Sequence, residues 1–206
     1  MKKFRITRKD RMALCRQAPE FAEIIQQTEL DSFDCCEDLF LALVQSIISQ
    51  QLAVKAADAI FRRVENLLGQ ITPERLLAAK FENLKRCGLS GRKIEYLRGI
   101  AEAKISGKVD FDALTGKTDA EIIRELTQLK GVGIWTAEML LIFALGRSDI
   151  ISYHDLGIRR GIMMLNHLDT LSEKEFDRYR RRYSPYGTLA SLYLWHIKDG
   201  GLQIGK

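Results

Sequence analysis

Apolar residues recur at helical spacing along almost the whole chain, and no long alternating run marks a half-buried strand. The pattern predicts a nearly all-helical protein. One helix runs from Pro19 to about Thr28, and an acidic, polar connection follows over Asp31–Asp38. Leu39–Ser49, LFLALVQSIIS, is apolar on all sides and reads as a buried helix. Gln50-Gln51 interrupts it, and a helix resumes over Leu52–Leu68 until Gly69 stops it. Thr72-Pro73 supplies a cap with proline at the first helical position. Short helices then run through Lys80 and from Phe81 to Cys87, and GLSGRKIEYLRGIA, from Gly88, reads as a turn and a further helix. Thr118 with Glu121, and Ser172 with Glu175, form capping boxes. The helix capped by Thr118 ends near Leu129, and Pro185 opens a last helix through about Ile197.

Composition narrows this picture only a little. The 206 residues suffice for one domain or two small ones, and 46% hydrophobic content supports a good core. No repeat, low-complexity tract or flexible linker separates the segments, so any two subdomains pack closely. The formal charge of +5 favours a polyanionic partner without demonstrating one. Basic residues cluster at Lys2, Lys3, Arg5, Arg8, Lys9 and Arg11, and again at Arg178, Arg180, Arg181 and Arg182; each cluster also reads as a solvated face. The four cysteines, Cys15, Cys35, Cys36 and Cys87, have no zinc spacing, and adjacent Cys35-Cys36 is a poor disulfide pair. Reduced thiols point to the cytoplasm. No run approaches the roughly 18 apolar residues that span a bilayer, and the charged start lacks the apolar core of a signal peptide.

The densest chemistry lies between Leu129 and Gly161. Leu129-Lys130-Gly131-Val132-Gly133 joins two helices. Glycines permit positive φ and close approach of another backbone. The first amides of the second helix lack intrahelical acceptors and carry the positive end of its dipole, so a phosphate oxygen suits them. Gly131, Gly133 and the Thr136 hydroxyl are the candidate phosphate contacts. The same glycines would equally serve a tight helix–helix turn.

With its context, LKGVGIWTA, the segment resembles the helix-hairpin-helix plus Gly/Pro…Asp signature of the base-excision DNA glycosylase superfamily, in its 3-methyladenine DNA glycosylase II subgroup. SIISQQLAVKAADAIFRRV, GLSGRKIEYL and SPYGTLASLYLW fit as well, so the resemblance covers about residue 35 to the end. It implies an all-α fold of two closely packed helical subdomains with the active site in the cleft between them. Residues of about 39–150 would form the bundle carrying the hairpin (about 119–145), and about 1–38 plus 151–206 the second subdomain.

The resemblance also implies roles. The signature aspartate falls about twenty residues after Trp135, at Asp155. It would stabilise the sugar cation that develops as the glycosidic bond breaks, and orient or deprotonate the attacking water. Asp155 also reads as the N-cap of a helix beginning at Leu156, and both roles are compatible. Asp149 is the nearest competitor, and His154 is either a neighbouring polar group or a surface residue. Some relatives carry lysine where Trp135 stands. Tryptophan cannot form a Schiff base, so base release without strand cutting is expected. Trp135 and Trp195, with Met139 and Tyr186, are the expected base pocket, since stacking on tryptophan favours an electron-poor or cationic alkylated purine. As isolated tryptophans, both also read as core residues.

Gln51, with Gln50, would be the wedge that fills the gap left by base flipping; otherwise the pair bonds to helix ends. Two positions depart from the pattern: Gly187 replaces a frequent arginine, and Met139 an aromatic. No cofactor is expected to be required. A structural Na+ or K+ at the carbonyls of Thr127, Leu129 and Val132 follows from the resemblance alone. The iron–sulfur loop of some relatives has no counterpart, since no cysteine follows Asp155. The expected partner is double-stranded DNA containing a damaged base, met by a monomer, with no membrane. The expected activity is excision of alkylated purines, chiefly 3-methyladenine and by extension 7-methylguanine. The same scaffold tuned to uracil, hypoxanthine or etheno adducts, and a non-catalytic damaged-DNA-binding protein, are the alternatives.

Overall fold

The computed structural model describes residues 2–201; the expected subdomain limits at Met1 and Lys206 lie outside them. Twelve α-helices are present among the described residues. In chain order they are α1 (Arg8–Gln17), α2 (Ala22–Gln27), α3 (Leu39–Ser49), α4 (Val54–Leu68), α5 (Pro73–Ala78) and α6 (Phe81–Arg86). Then follow α7 (Gly91–Ile105), α8 (Asp119–Leu126), α9 (Ile134–Phe143), α10 (Leu156–Leu165), α11 (Glu173–Tyr183) and α12 (Gly187–His196). The only described strands are β1 (Lys3–Phe4) and β2 (Phe33–Asp34), an antiparallel ribbon of two residues each. The fold is all-α, and none of the described helices is long and apolar enough to cross a membrane.

The chain divides into two compact units, Cys36–Leu140 and Met1–Cys35 with Leu141–Lys206. The division falls inside α9, ten residues before the expected boundary at 150.

In the Cys36–Leu140 unit, α3 is the central helix. Leu39, Phe40, Leu43, Val44, Ile47 and Ile48 are all buried, and Asp38 caps its start by accepting the Leu41 amide. α4 buries only Ala57, Ile60 and Val64, one stripe of a half-solvated helix, and ends at Gly69 with φ of 74°. It starts at Val54, since the turn through Gln51 and Leu52 is not helical. α7 packs Ile94, Leu97, Ile100 and Ala101 inward.

In the other unit, α1, α2, α10, α11 and α12 enclose a core of Leu14, Phe21, Ile24, Ile158, Ile162, Phe176, Tyr183, Tyr193 and Leu194. The pattern did not predict α1, because six of its ten residues are polar or charged. It is held by a capping box at Thr7 and Asp10 and by one deeply buried residue, Leu14. A single 3-10 turn occupies Pro19–Phe21, so the expected helix from Pro19 is a turn followed by α2. The strand at Phe33–Asp34 was likewise read as plain connection, being too short to show alternation. Pro185 precedes α12 instead of opening it: the Ser184–Pro185 peptide is cis, and Tyr186 stands at the N-cap. Asp149 supplies the capping, accepting from the Gly187 amide at 3.0 Å and the Ser184 hydroxyl at 2.5 Å.

Candidate active site and nucleic-acid interface

The hairpin begins where α8 ends. Leu129 and Val132 are buried, and the Val132 amide donates to the Leu129 carbonyl at 3.1 Å. Gly131 has φ of 87°, and a Cβ there would lie 2.3 Å from the Tyr96 ring. Both facts require glycine on internal grounds. Gly133 differs: its φ is not positive, and a Cβ would meet nothing within 4 Å. The fold itself has no need of glycine there. The first intrahelical acceptor is the Gly133 carbonyl, which takes the Ala137 amide at 3.1 Å. The amides preceding that bond are the ones a helix leaves to an outside anion.

Thr136 does not join them. It is 3% exposed, and its hydroxyl faces Gln50, whose Nε2 lies 3.4 Å away and donates to the Gly131 carbonyl at 2.9 Å. Gln50 is thus a brace tying the α3–α4 turn to the hairpin. Lys93 braces the same turn, donating to the Ile48 and Gln50 carbonyls at 2.7 Å each, and its burial there pulls its pKa below the ordinary lysine value. Gln51 is exposed with φ of 59°, a loop tip in the left-handed region. Next to it stand two exposed apolar side chains that the sequence reading passed over, Leu52 and Val54. Gln51, Arg92, Lys93, Tyr96 and Gly131 line a concavity of about 550 Å³ in this unit.

Trp135 occupies the first turn of α9 and is 37% exposed, too open for a core tryptophan. Met139, one turn later on the same face, is half-buried.

In the other unit, Asp155 is the N-cap of α10. Its Oδ1 accepts from the Ile158 amide at 2.8 Å and from Trp195 Nε1 at 3.0 Å, and the residue is 8% exposed. The cap and a buried, oriented carboxylate are one arrangement. Two glycines on α10 make it. A Cβ on Gly157 would sit 2.9 Å from Trp195 and 3.0 Å from Asp155 Oδ1, and one on Gly161 would sit 2.4 Å from the Leu194 carbonyl oxygen. With glycine at both positions, α12 approaches α10 closely enough for the indole to reach the carboxylate. The Trp195 ring stacks on Phe143, with centroids 5.9 Å apart and planes 21° from parallel. Phe143 is 42% exposed and was not foreseen, although it continues the four-residue spacing of Trp135 and Met139.

Tyr186 is elsewhere. It lines a cavity of about 270 Å³ with Phe4, Ile6, Ser148, Pro185 and Leu189, at the opposite end of α12 from Trp195, about 13 Å along the axis. The aromatic at the N-cap of α12 thus has different neighbours from one nine residues on. Gly187 is buried, and a Cβ there would lie 2.7 Å from Asp149 Oδ1. The position has no room for an arginine side chain, and Asp149 is committed to capping. His154 is exposed, with its ring edge-on to Tyr153.

The family model for HhH-GPD superfamily base excision DNA repair proteins matches residues 44–185. The chain is 42% identical over 158 residues to DNA-3-methyladenine glycosylase 1 of Schizosaccharomyces pombe, a match covering 74% of this chain and 69% of that protein. It is 34% identical over 190 residues to the DNA-3-methyladenine glycosylase of Saccharomyces cerevisiae, covering 87% of this chain and 64% of that one. The chain thus spans about two thirds of the length of these relatives. Among solved structures, it resembles the S. pombe 3-methyladenine DNA glycosylase in complex with abasic DNA. The TM-score is 0.83 and the identity 33%, over 96% of this chain and 99% of that one.

Proposed function

The chain belongs to the HhH-GPD superfamily of base excision DNA repair proteins, and we propose that it is a monofunctional DNA glycosylase that flips out alkylated purines, chiefly 3-methyladenine, and hydrolyses their glycosidic bond to leave an abasic site. The observation that carries this reading is the Asp155 carboxylate, nearly buried and held by the Ile158 amide and the Trp195 indole. Relatives with 42% and 34% identity named for 3-methyladenine support the substrate class.

An alkylated purine is already cationic or electron-poor, so the base departs with the electron pair of the C1′–N bond and leaves positive charge on the sugar. A fixed anion in a site with little water is worth most at that charge. Water then adds its oxygen to C1′, and its proton passes to Asp155 or to solvent. Trp135 offers no amine, so no covalent sugar–enzyme intermediate forms and the strand is not cut. Its exposed ring and Met139 are the assigned contacts of the flipped base.

Phosphate binding falls to the amides that open α9, approached past Gly133. The wedge falls to the tip Gln51-Leu52. Leu52, 39% exposed, enters a base stack without surrendering hydrogen bonds to water, which a glutamine cannot do. The carbonyls of Thr127, Leu129 and Val132 offer neutral oxygens at the negative end of α8, a donor set suited to Na+ or K+. When bound there, such an ion adds positive charge beside the phosphate. The protein is assigned to the compartment that holds the DNA and acts as a monomer.

The deciding experiment is base release from methylated duplex DNA by wild type and Asp155→Asn. Wild type is expected to release 3-methyladenine and leave alkali-labile abasic sites with no nicking. The variant should lose at least about a hundredfold in rate while binding the duplex normally. Equal rates in both proteins would remove Asp155 from catalysis, and nicking by the pure protein would remove the monofunctional assignment.

A further inference from the structure

We infer that the N-terminal ribbon positions the active-site tryptophan: Phe33, acting through Phe143, sets the plane of the Trp195 ring and thereby its hydrogen bond to Asp155. The inference rests on Asp155 being the catalytic carboxylate.

Four rings form a column in one unit. Phe4 stacks on Phe33 with centroids 5.0 Å apart, Phe33 meets Phe143 at 5.4 Å and 50°, and Phe143 stacks on Trp195 at 5.9 Å. The column ends where Trp195 Nε1 donates to Asp155 Oδ1 at 3.0 Å. Burial does not account for it. Phe4, Phe33 and Phe143 lie outside the buried core of the unit, and Phe143 is 42% exposed. Large aromatics at such positions gain from the geometry they impose on one another as well as from leaving water. Without Phe33, one side of Phe143 would be open, and Trp195 would rest on a ring free to change rotamer.

The ribbon is built to hold Phe33 still. Two residues per strand are too few to be stable alone, and tertiary anchors supply the rest. The Lys2 ammonium donates to the Leu145 carbonyl beyond the end of α9, and the Cys35 amide donates to the Lys2 carbonyl at 2.8 Å. Gly146, with φ of 59°, lets the Cys35 sulfur pack against the same turn, since a Cβ there would lie 2.9 Å from it. The end of the ribbon formed by Lys2 and Cys35 is thus pinned to the turn that follows Phe143. Phe33 is a positioning residue and never touches the base.

The test uses the full chain with Trp135→Phe as the spectroscopic background, so that Trp195 is the sole tryptophan. Base release is measured separately, under single-turnover conditions on methylated duplex, in proteins that retain Trp135. Phe33→Ala is expected to red-shift Trp195 emission, raise its quenching by acrylamide, and slow base release about tenfold at unchanged duplex affinity. Phe33→Tyr should restore all three. If Phe33→Ala fails to fold, Phe33→Leu, which keeps apolar volume without a ring, is expected to give the same emission shift. Native Trp195 emission in a folded Phe33→Ala or Phe33→Leu protein overturns the inference, as does shifted emission with an unaltered rate of base release. A wild type that releases no base defeats the glycosylase reading, while the emission measurement still decides whether Phe33 sets the tryptophan.

Discussion

Trp195 Nε1 lies 3.0 Å from Asp155 Oδ1, forty residues apart in sequence, and donates to the same oxygen that accepts the Ile158 amide. The carboxylate is thereby oriented by its own helix and by a neighbouring one. Trp195→Phe keeps the stack on Phe143 but removes the donor. A hydrogen bond to an ionised group is worth about 1.5–3 kcal/mol, so base release should fall roughly ten- to hundredfold. Helicity and thermal midpoint should stay near those of wild type. A rate equal to wild type in a single-turnover assay would mean that the indole serves only as a wall.

The two glycines of α10 should separate catalysis from stability. In Gly161→Ala the new Cβ meets backbone, the Leu194 carbonyl oxygen at 2.4 Å, so α10 and α12 must part. Overpacking of this kind costs about 1–3 kcal/mol, and Tm should drop by about 2–4 °C for each. In Gly157→Ala the Cβ meets the Trp195 side chain, which can swing away. That variant should melt close to wild type and yet release base more slowly. Calorimetry and single-turnover assays on both proteins check the contrast, and equal Tm losses would contradict it.

Much of this was legible in the sequence, for physical reasons that also mark where legibility stopped. Cap chemistry is local, so Thr72, Thr118, Asp155 and Ser172 could be read directly, and the structure has a side-chain cap at each. α1 was hidden because a polar helix with one deeply buried leucine carries almost no periodic signal. The contact between Gln50 and Thr136 was not legible, because it depends on how the α3–α4 turn meets the hairpin, a distance of more than eighty residues in sequence. The separation of Tyr186 from Trp195 was not legible either: closeness in sequence says nothing about which end of a helix a side chain serves. Phe143 was visible as an i+4 step from Met139, but an apolar residue at that spacing reads equally as core.

Acid should unfold the protein in part through its capping boxes. The Ser172 hydroxyl and amide hold the Glu175 carboxyl below the usual carboxylate range, as the Thr118 hydroxyl and amide hold Glu121. A carboxyl whose folded pKa is depressed adds stability above its unfolded pKa and loses it as pH falls through the folded value. Glu175→Ala should therefore melt below wild type at pH 7, and the gap should narrow as pH falls below the ordinary glutamate pKa. Melting curves across that range check it, and a gap that stays constant with pH would show that the carboxylate's charge is not what matters.

The hairpin glycines should fail in different ways. Gly131→Ala forces a side chain into φ of 87° and into the Tyr96 ring, so it should destabilise the protein markedly and lose DNA binding only as a consequence. Gly133→Ala meets nothing within 4 Å and adopts an ordinary backbone conformation, so its Tm should match wild type or rise slightly. Its added methyl stands where a phosphate would approach the first amides of α9. Duplex affinity should fall about tenfold, with the rate of base release at saturating protein little changed. Fluorescence anisotropy with undamaged duplex, which needs no catalysis, reads the effect. A Gly133→Ala protein that binds duplex as tightly as wild type would show that the open space above Gly133 is not the path of the DNA backbone.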